Sequence, residues 1–380
     1  MSFTVRANWT ALRERLRAID LGARWPLVLS IYVVVLVATW VSVALAVDDQ
    51  PVGDNIEQLV WAQHLAWGFD KHPPLPTMLL WAAERLFPAS VALTDVMGGL
   101  QVAIMLGLAW AIACQTLDRR RAAFALLFVS CITYYTNRMH YYNHNTALLV
   151  ASALSVYGVL RAAQTASVAW SLMLGAAWGL GLLSKYQMVI AIACNLAFLA
   201  VSTTLTLRQR LTVVTIAACS CAILIAPHVV WLIDNHFPSF HYAAKFVGAH
   251  LPWSQRPAGI AGFLADQALR LLPLAVLLTI LGRLAGRDGP TQTLANVPPA
   301  ASAPVRQLLL IHAWGPLLLM SSLSLFFGVA LEAPWGTAFL WMAPLWFLNT
   351  SRGRALTRLS DAGILTGVVA LQAAMWLAYR

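Results

Sequence analysis

Residues 54–79 read DNIEQLVWAQHLAWGFDKHPPLPTML, and the interpretation of the whole chain turns on this stretch. It sets carboxylates (Asp54, Glu57, Asp70), cations (Lys71, His72) and a rigid Pro73-Pro74 pair side by side, in a chain that is otherwise close to continuous hydrophobic span. Leu59, Trp61, Ala62, Leu65 and Ala66 alternate at helical spacing with Glu57, Gln58, Gln63 and His64, the pattern of an amphipathic helix lying in a membrane interface. His72-Pro73-Pro74-Leu75-Pro76 then breaks helix geometry, because each proline lacks an N–H donor and restricts the residue before it. The expectation is a surface helix, a sharp corner, and a second helix from about Thr77.

Outside this stretch, composition sets the class. The chain has 380 residues, 60% of them hydrophobic and 11% charged, with a mean hydropathy of +0.70. Apolar runs long enough to cross a bilayer recur throughout, which excludes a soluble globular domain. Eleven spans are predicted, near 25–47, 92–117, 122–137, 145–162, 168–183, 187–205, 211–233, 259–282, 308–329, 334–349 and 360–379. The fold class is therefore an all-α polytopic membrane protein of about eleven transmembrane helices, forming a single domain over 1–380, with interfacial helices in the first outer loop.

The net charge is +10, and its placement matters more than its size. Arg6, Arg13, Arg15, Arg17 and Arg24 precede the apolar run Trp25–Val47. Arg119-Arg120-Arg121, Arg161, Arg208, Arg210, Arg283, Arg287, Arg306, Arg352, Arg354 and Arg358 fall on the same side of the predicted topology. An excess of arginine on one side is the signature of cytoplasmic loops, so the basic balance reports orientation and not nucleic-acid binding. The N-terminus is expected in the cytoplasm of a bacterial cell with the chain in its inner membrane. Ala44-Leu45-Ala46 mimics a signal-peptide cleavage site, but the apolar run is about twice the usual length for one, which favours a retained anchor helix.

Three connecting segments stand out: 48–90 and 234–258 on the outer side, and 286–304 on the inner side. The last is rich in Pro, Ala, Gly and Thr and reads as a linker. No internal repeat is visible. Cys114, Cys131, Cys194, Cys219 and Cys221 all fall inside predicted spans without CxxC spacing, which argues for small core residues and against a disulfide framework or metal site.

Polar residues gather at the outer membrane edge in four places, each with a plain structural alternative. Asp54 and Glu57 open the amphipathic helix, where a carboxylate serves either as a cap or as a general base removing a proton from an acceptor. Asp48 and Asp49 nearby suit simple solvated charges. Lys71 and His72 precede the proline corner, either snorkelling to headgroups or holding a phosphate at the bilayer surface. Residues 134–145, YYTNRMHYYNHN, combine interface tyrosines with Arg138 and Asn145 as substrate contacts. His140 and His144 have i, i+4 spacing, but without a nearby acid a metal role is poorly supported. Lys185 and Tyr186 join two spans with almost no loop, and a lysine at that depth is a functional candidate by default. Softer signals are Pro227-His228, residues 234–240, and Glu332 with Trp335.

Taken together, these elements resemble the dolichyl-phosphate-mannose-protein mannosyltransferase-like and aminoarabinose-transferase-like bacterial glycosyltransferases, members of the GT-C superfamily (glycosyltransferase family 39). DNIEQLVWAQHLAWGFDKHPPL resembles the family's first outer loop, and GLGLLSKYQMVI resembles its lysine-bearing span junction. APHVVWLIDNHFPSF and EAPWGTAFLWMAPL are similar to later segments, so the likeness covers roughly Asp48 to Leu348.

The resemblance implies a GT-C type bundle and an inverting transferase that takes a sugar from a polyprenyl-phosphate carrier on the outer face. The acceptor would be lipid A, a polysaccharide, a glycolipid or a protein. It implies Asp54 as catalytic aspartate, with Lys71, His72 and Lys185 near donor or phosphate. Two positions depart from the family pattern. Asn55 stands where a second acid usually follows the aspartate, leaving open whether Glu57 compensates. Asn145 stands where many members carry a second-loop aspartate, which weakens a divalent-metal role further. No cofactor is expected.

From the residues alone, Asp54 and Glu57 are the catalytic candidates. Lys71, His72, Arg138, Asn145, Lys185 and Tyr186 are the substrate-binding ones. Two other classes compete: a transporter or flippase for a lipid-linked intermediate, and a catalytically degenerate scaffold. The first would place ionisable groups inside spans and paired repeat halves, whereas this chain keeps its charges at the outer rim.

Overall fold

The computed structural model describes residues 21–247, 251–287 and 301–379, and among these it contains helices and turns but no strand. Arg6, Arg13, Arg15 and Arg17, most of the 286–304 linker and residues 248–250 of the second outer loop fall outside the described residues.

Among the described residues, eleven helices match the predicted spans in order. They are α1 (Trp25–Val47), α4 (Val91–Thr116), α5 (Arg119–Val129), α6 (His144–Thr165), α7 (Val168–Ser184), α8 (Met188–Val201), α9 (Leu207–Asp234), α11 (Arg256–Arg287), α12 (Ala303–Phe327), α13 (Met342–Asn349) and α15 (Asp361–Tyr379). Short helices α2 (Gly53–Ala62), α3 (Leu75–Glu84), α10 (Pro238–Val247) and α14 (Ser351–Ala355) sit at the ends. Among the described residues, seven helices are long and apolar enough to cross a membrane, and α7 and α8 are shorter apolar helices. The eleven predicted spans are therefore of unequal length.

The predicted spans 122–137 and 334–349 are instead short helices followed or preceded by turns. α5 has 11 residues and is buried on every side from Arg121 to Val129. A helix that is apolar all round belongs in the middle of a bundle and meets no lipid, so nothing requires it to match the bilayer thickness. It packs Phe124 edge-on against Trp25 of α1 at 6.1 Å.

Chain ends and loops identify the two poles. At one pole Arg120 donates to Asp361 Oδ1 at 2.5 Å and to the carbonyls of Thr357 and Leu359, while Leu21 N–H donates to the same carboxylate. At the other, Tyr379 at the end of α15 donates its hydroxyl to Asp48 at the end of α1 at 2.9 Å.

Small residues let the legs approach closely. A Cβ on Gly175 of α7 would stand 2.1 Å from the Ala217 carbonyl of α9, and one on Gly98 of α4 would stand 2.6 Å from the Met139 carbonyl. Backbones meeting at that range gain van der Waals contact that lipid cannot replace. The cysteines divide: Cys131, Cys194 and Cys221 are buried, whereas Cys114 and Cys219 are exposed, so only three are core residues. All five are free thiols.

Candidate active site

The proline corner is built as predicted, with sharper edges. α2 ends at Ala62, four residues before the apolar pattern does, and turns carry the chain to Pro74. α3 starts at Leu75, two residues earlier than expected, because Pro76 falls in the first turn where no N–H is needed. The corner is pinned by Phe69 N–H donating to the His72 carbonyl at 3.1 Å and by Phe69 stacking on Trp61 at 4.7 Å. Gly68 lies flat against the Trp231 ring, where a Cβ would stand 2.3 Å away.

α2 is amphipathic with its faces reversed from the simple expectation. Its buried residues are Asn55, Gln58 and Ala62, while Val60 and Ile56 are exposed. The inward polar face is fully bonded. Asn55 Nδ2 donates to Asp95 Oδ1 at 2.8 Å, Thr94 Oγ1 at 3.0 Å and the His140 carbonyl at 3.1 Å, and Asn55 Oδ1 accepts from Tyr142 N–H at 2.8 Å. Gln58 Oε1 accepts from Thr77 of α3 at 2.7 Å. A carboxylate at position 55 would face three acceptors, so the amide here is a brace between α2, α4 and the 130–143 turns.

That bracing fixes Asp54, one residue earlier, at the edge of a cavity of about 830 Å³. Asn143, the N-cap of α6, accepts from the N–H groups of Asn145 and Thr146 through its side-chain oxygen. Its Nδ2 donates to Asp54 Oδ2 at 2.8 Å. Two turns further round the lining, Lys185 caps the end of α7 and points its Nζ at Asn145 Oδ1, 2.7 Å away. Glu57 is paired with Lys71.

The cavity brings together Asp54, Glu57, Lys71, His72, Asn145, Lys185 and Tyr186, residues from four separate stretches of sequence. Arg138 is not among the lining residues; it lies 5.4 Å over the Tyr141 ring. The predicted His140–His144 pair is also separated. His140 sits in turns before α6 and faces Asp48 at 3.2 Å, whereas His144 opens α6 and stacks on His72 with ring centroids 3.6 Å apart. Among the described residues no group of three or more His, Cys, Asp or Glu side chains is arranged to hold a metal.

Electrostatics divide the lining cations. Burial in the cavity lowers Lys185 to about 7, against the attraction of Asp54 and Glu332. Lys71 is shifted the other way, upward, by its hydrogen bond to Glu57. His72 is lowered to about 3 by burial and by the neighbouring Lys185 and Lys71 charges, so it stands neutral.

Softer sequence signals, joined by residues that sequence reasoning left out such as Gln187 and Met320, complete the wall. Tyr186 OH meets Ser239 Oγ of α10 at 2.7 Å and His228 Nε2 of α9 at 2.9 Å. Gln187 donates to the Trp335 carbonyl at 3.0 Å. Met320, Leu323 and Phe327 of α12 with Val189 and Ile190 of α8 form an apolar side. The arrangement can hold a headgroup with an anionic centre at one side and a hydrocarbon chain along the other.

Fold and cavity together define a polytopic all-α membrane protein with a charged, lipid-walled pocket at one pole. Comparison with known proteins places it further. Residues 71–231 match the family model described as dolichyl-phosphate-mannose-protein mannosyltransferase. Two proteins of Rhizobium johnstonii are similar in sequence. The lipopolysaccharide core galacturonosyltransferase RgtA is 28% identical over 193 residues, 48% of this chain and 37% of that protein. RgtB, of the same description, is 24% identical over 350 residues, 87% of this chain and 68% of that protein. The crystal structure of ArnT from Cupriavidus metallidurans bound to undecaprenyl phosphate superposes with a TM-score of 0.65 at 17% identity, covering 94% of this chain and 64% of ArnT. The resemblance to this family of membrane glycosyltransferases, drawn first from the proline corner and the lysine junction, is borne out. The chain spans only about a third of the length of RgtA and under two thirds of ArnT.

Proposed function

We propose that this protein is an inverting glycosyltransferase that moves a sugar from a polyprenyl-phosphate carrier to a hydroxyl or amine acceptor. The observation that carries the reading is the single cavity in which a carboxylate, Asp54, stands across from a half-buried cation, Lys185, beside an apolar wall. A lipid-phosphate donor needs those three things in that order.

In the reaction, the acceptor oxygen or nitrogen attacks the anomeric carbon as the bond from that carbon to the phosphate oxygen breaks. The phosphate leaves with the electron pair as polyprenyl phosphate. Asp54 takes the acceptor proton, and Lys185, oriented by Asn145, meets the charge that develops on the leaving phosphate. Lys71, held by Glu57, adds a second positive charge at the mouth. A preorganised cation and one base suffice for a single displacement, so the reaction is expected to run without a divalent metal. The acceptor class is lipid A, another polysaccharide, a glycolipid or a protein. The cavity is expected to open on the outer, periplasmic face of the bacterial inner membrane, opposite the arginine-rich pole.

The test is turnover by purified protein with a panel of polyprenyl-phosphate sugars and a membrane lipid extract, followed by mass spectrometry. Wild type should release polyprenyl phosphate and glycosylate one acceptor, and Asp54→Asn should lose roughly 10²–10⁴-fold in rate. Absence of release from every donor, in a folded protein, would favour a flippase or a scaffold instead.

A further inference from the structure

The lining of the cavity carries more acid than its role as a phosphate site requires. Asp54, Glu57 and Glu332 all contribute to it, against Lys71 and Lys185. Lys71 is engaged by Glu57. Lys245, on α10, lies 5.5 Å over the Tyr242 ring and is not a lining residue.

Glu332 is the acid that the reaction does not use. It precedes the 3₁₀ turn Ala333–Gly336 on the segment after α12, far in sequence from Asp54 on α2. Its side chain is exposed to the cavity, and among the described residues no hydrogen-bond or ion-pair partner holds it. Asp54 and Glu332 line the same cavity as Lys185 and both act on its charge, so the two carboxylates share that one cation. Once a donor phosphate occupies Lys185, Glu332 keeps no cation of its own among the lining residues, while Asp54 still shares Lys71 with Glu57.

We propose, resting on the transferase reading above, that Glu332 is a specificity residue and that the transferred sugar carries no carboxylate. The sugar joins the phosphate at its anomeric carbon, so it occupies the space between Lys185 and the two acids. A neutral sugar can donate hydroxyl hydrogen bonds to Glu332, and an amino sugar can place its ammonium there. A uronic acid brings a further carboxylate beside the unpaired Glu332 in a partly desolvated pocket, where like charges repel most strongly. Rejection of the wrong sugar by an uncompensated charge is a common route to discrimination. The chemistry differs on this point from what the names of the two Rhizobium galacturonosyltransferases say of those proteins.

The experiment compares kcat/KM for three polyprenyl phosphates bearing a neutral hexose, an amino sugar and a hexuronic acid, in wild type, Glu332→Gln and Glu332→Lys. Thermal melts establish that each variant folds. Wild type is expected to use the uronic acid roughly tenfold or more less efficiently than the better of the other two, and both variants should narrow that ratio. The hexose and amino-sugar arms distinguish a hydroxyl partner from an ammonium. Efficient transfer of the hexuronic acid by wild type overturns the proposal while leaving the transferase reading intact. Discrimination as strong in both variants as in wild type overturns the assignment to Glu332. No turnover from any of the three donors, with wild type folded, overturns the transferase reading and this inference with it.

Discussion

Asn143 Nδ2 donates to Asp54 Oδ2 at 2.8 Å, and among the described residues nothing in the protein engages Asp54 Oδ1. One oxygen of the carboxylate is thus tethered to the cap of α6 and the other is available to a proton. The relationship separates orientation from helix capping. Asn143→Ser keeps a capping oxygen but cannot reach Asp54. It is expected to lower kcat about tenfold, the worth of one hydrogen bond to a charged group, with donor KM and melting temperature little changed. Parallel changes in kcat and stability would show that Asn143 matters only as a cap.

Glu57 and Asp54 share a helix but not a fate. Because Glu57 is tied to Lys71 at a largely exposed site, Glu57→Gln should keep turnover within about tenfold of wild type. Asp54→Asn should not. Equal losses in the two variants would mean that both acids take part in proton transfer.

Asn55 offers a test of its bracing role. Restoring an acid with Asn55→Asp sets a carboxylate against Asp95 Oδ1, Thr94 Oγ1 and the His140 carbonyl, removing a buried donor and adding a buried charge. The expected cost is on the order of 3 kcal/mol of stability, read as a lowered melting temperature in detergent. An Asp variant as stable as wild type and more active would show instead that Asn55 is a lost catalytic acid.

Lys185 sets a pH dependence whose sign follows from its lowered value. With the group near 7 in the empty cavity, its charge is lost as pH rises through that point and not near its ordinary value of 10.5. A bound phosphate draws the proton back. Donor binding above pH 7 should therefore take up about one proton and weaken by up to about tenfold per pH unit, with no such slope below pH 7. Lys185→Arg stays charged throughout and should flatten the profile. Undecaprenyl phosphate titrations across this range decide it, and parallel weakening in both proteins would assign the slope to another group.

A fifth expectation concerns metals. If the leaving phosphate is met by Lys185 and Lys71 alone, dialysis against a chelator should leave the rate unchanged. A rate lost to chelator and restored by a divalent cation would mean that the donor brings a metal with it.

How much of this was legible in the sequence follows from what each residue answers to. Pro73-Pro74 and Lys185 were legible because local chemistry fixes them: proline forces a corner, and a lysine between two apolar runs has few places to go. Asn143 was not, because its role depends on a contact across 89 residues, and Glu332 stood out only as a soft signal because its place depends on a cavity closed by distant helices. Arg138 misled for the same reason, since its position beside interface tyrosines said nothing about which way it points. The reversed face of α2 was hidden because a residue scale treats Asn55 and Gln58 as solvent-facing, while the fold gives them partners inside. The short legs α5 and α13 lay within apolar runs whose turns carry no charge to mark them.

α7 and α8, which meet at Lys185, have 17 and 14 residues, or roughly 25 Å and 21 Å of rise at about 1.5 Å per residue. Both expose apolar side chains away from the cavity, Leu172 on α7 and Leu196 on α8, as helices bordered by lipid do. A typical hydrocarbon core is about 30 Å thick, and mismatch of this kind is relieved by local thinning. The headgroup layer beside the cavity is expected to be drawn inward at this spot, so that the phosphate of the proposed donor would reach Lys185 without its carrier rising out of the leaflet. Host membranes with longer acyl chains would resist that dimple, which makes bilayer thickness a determinant of how readily the donor is captured.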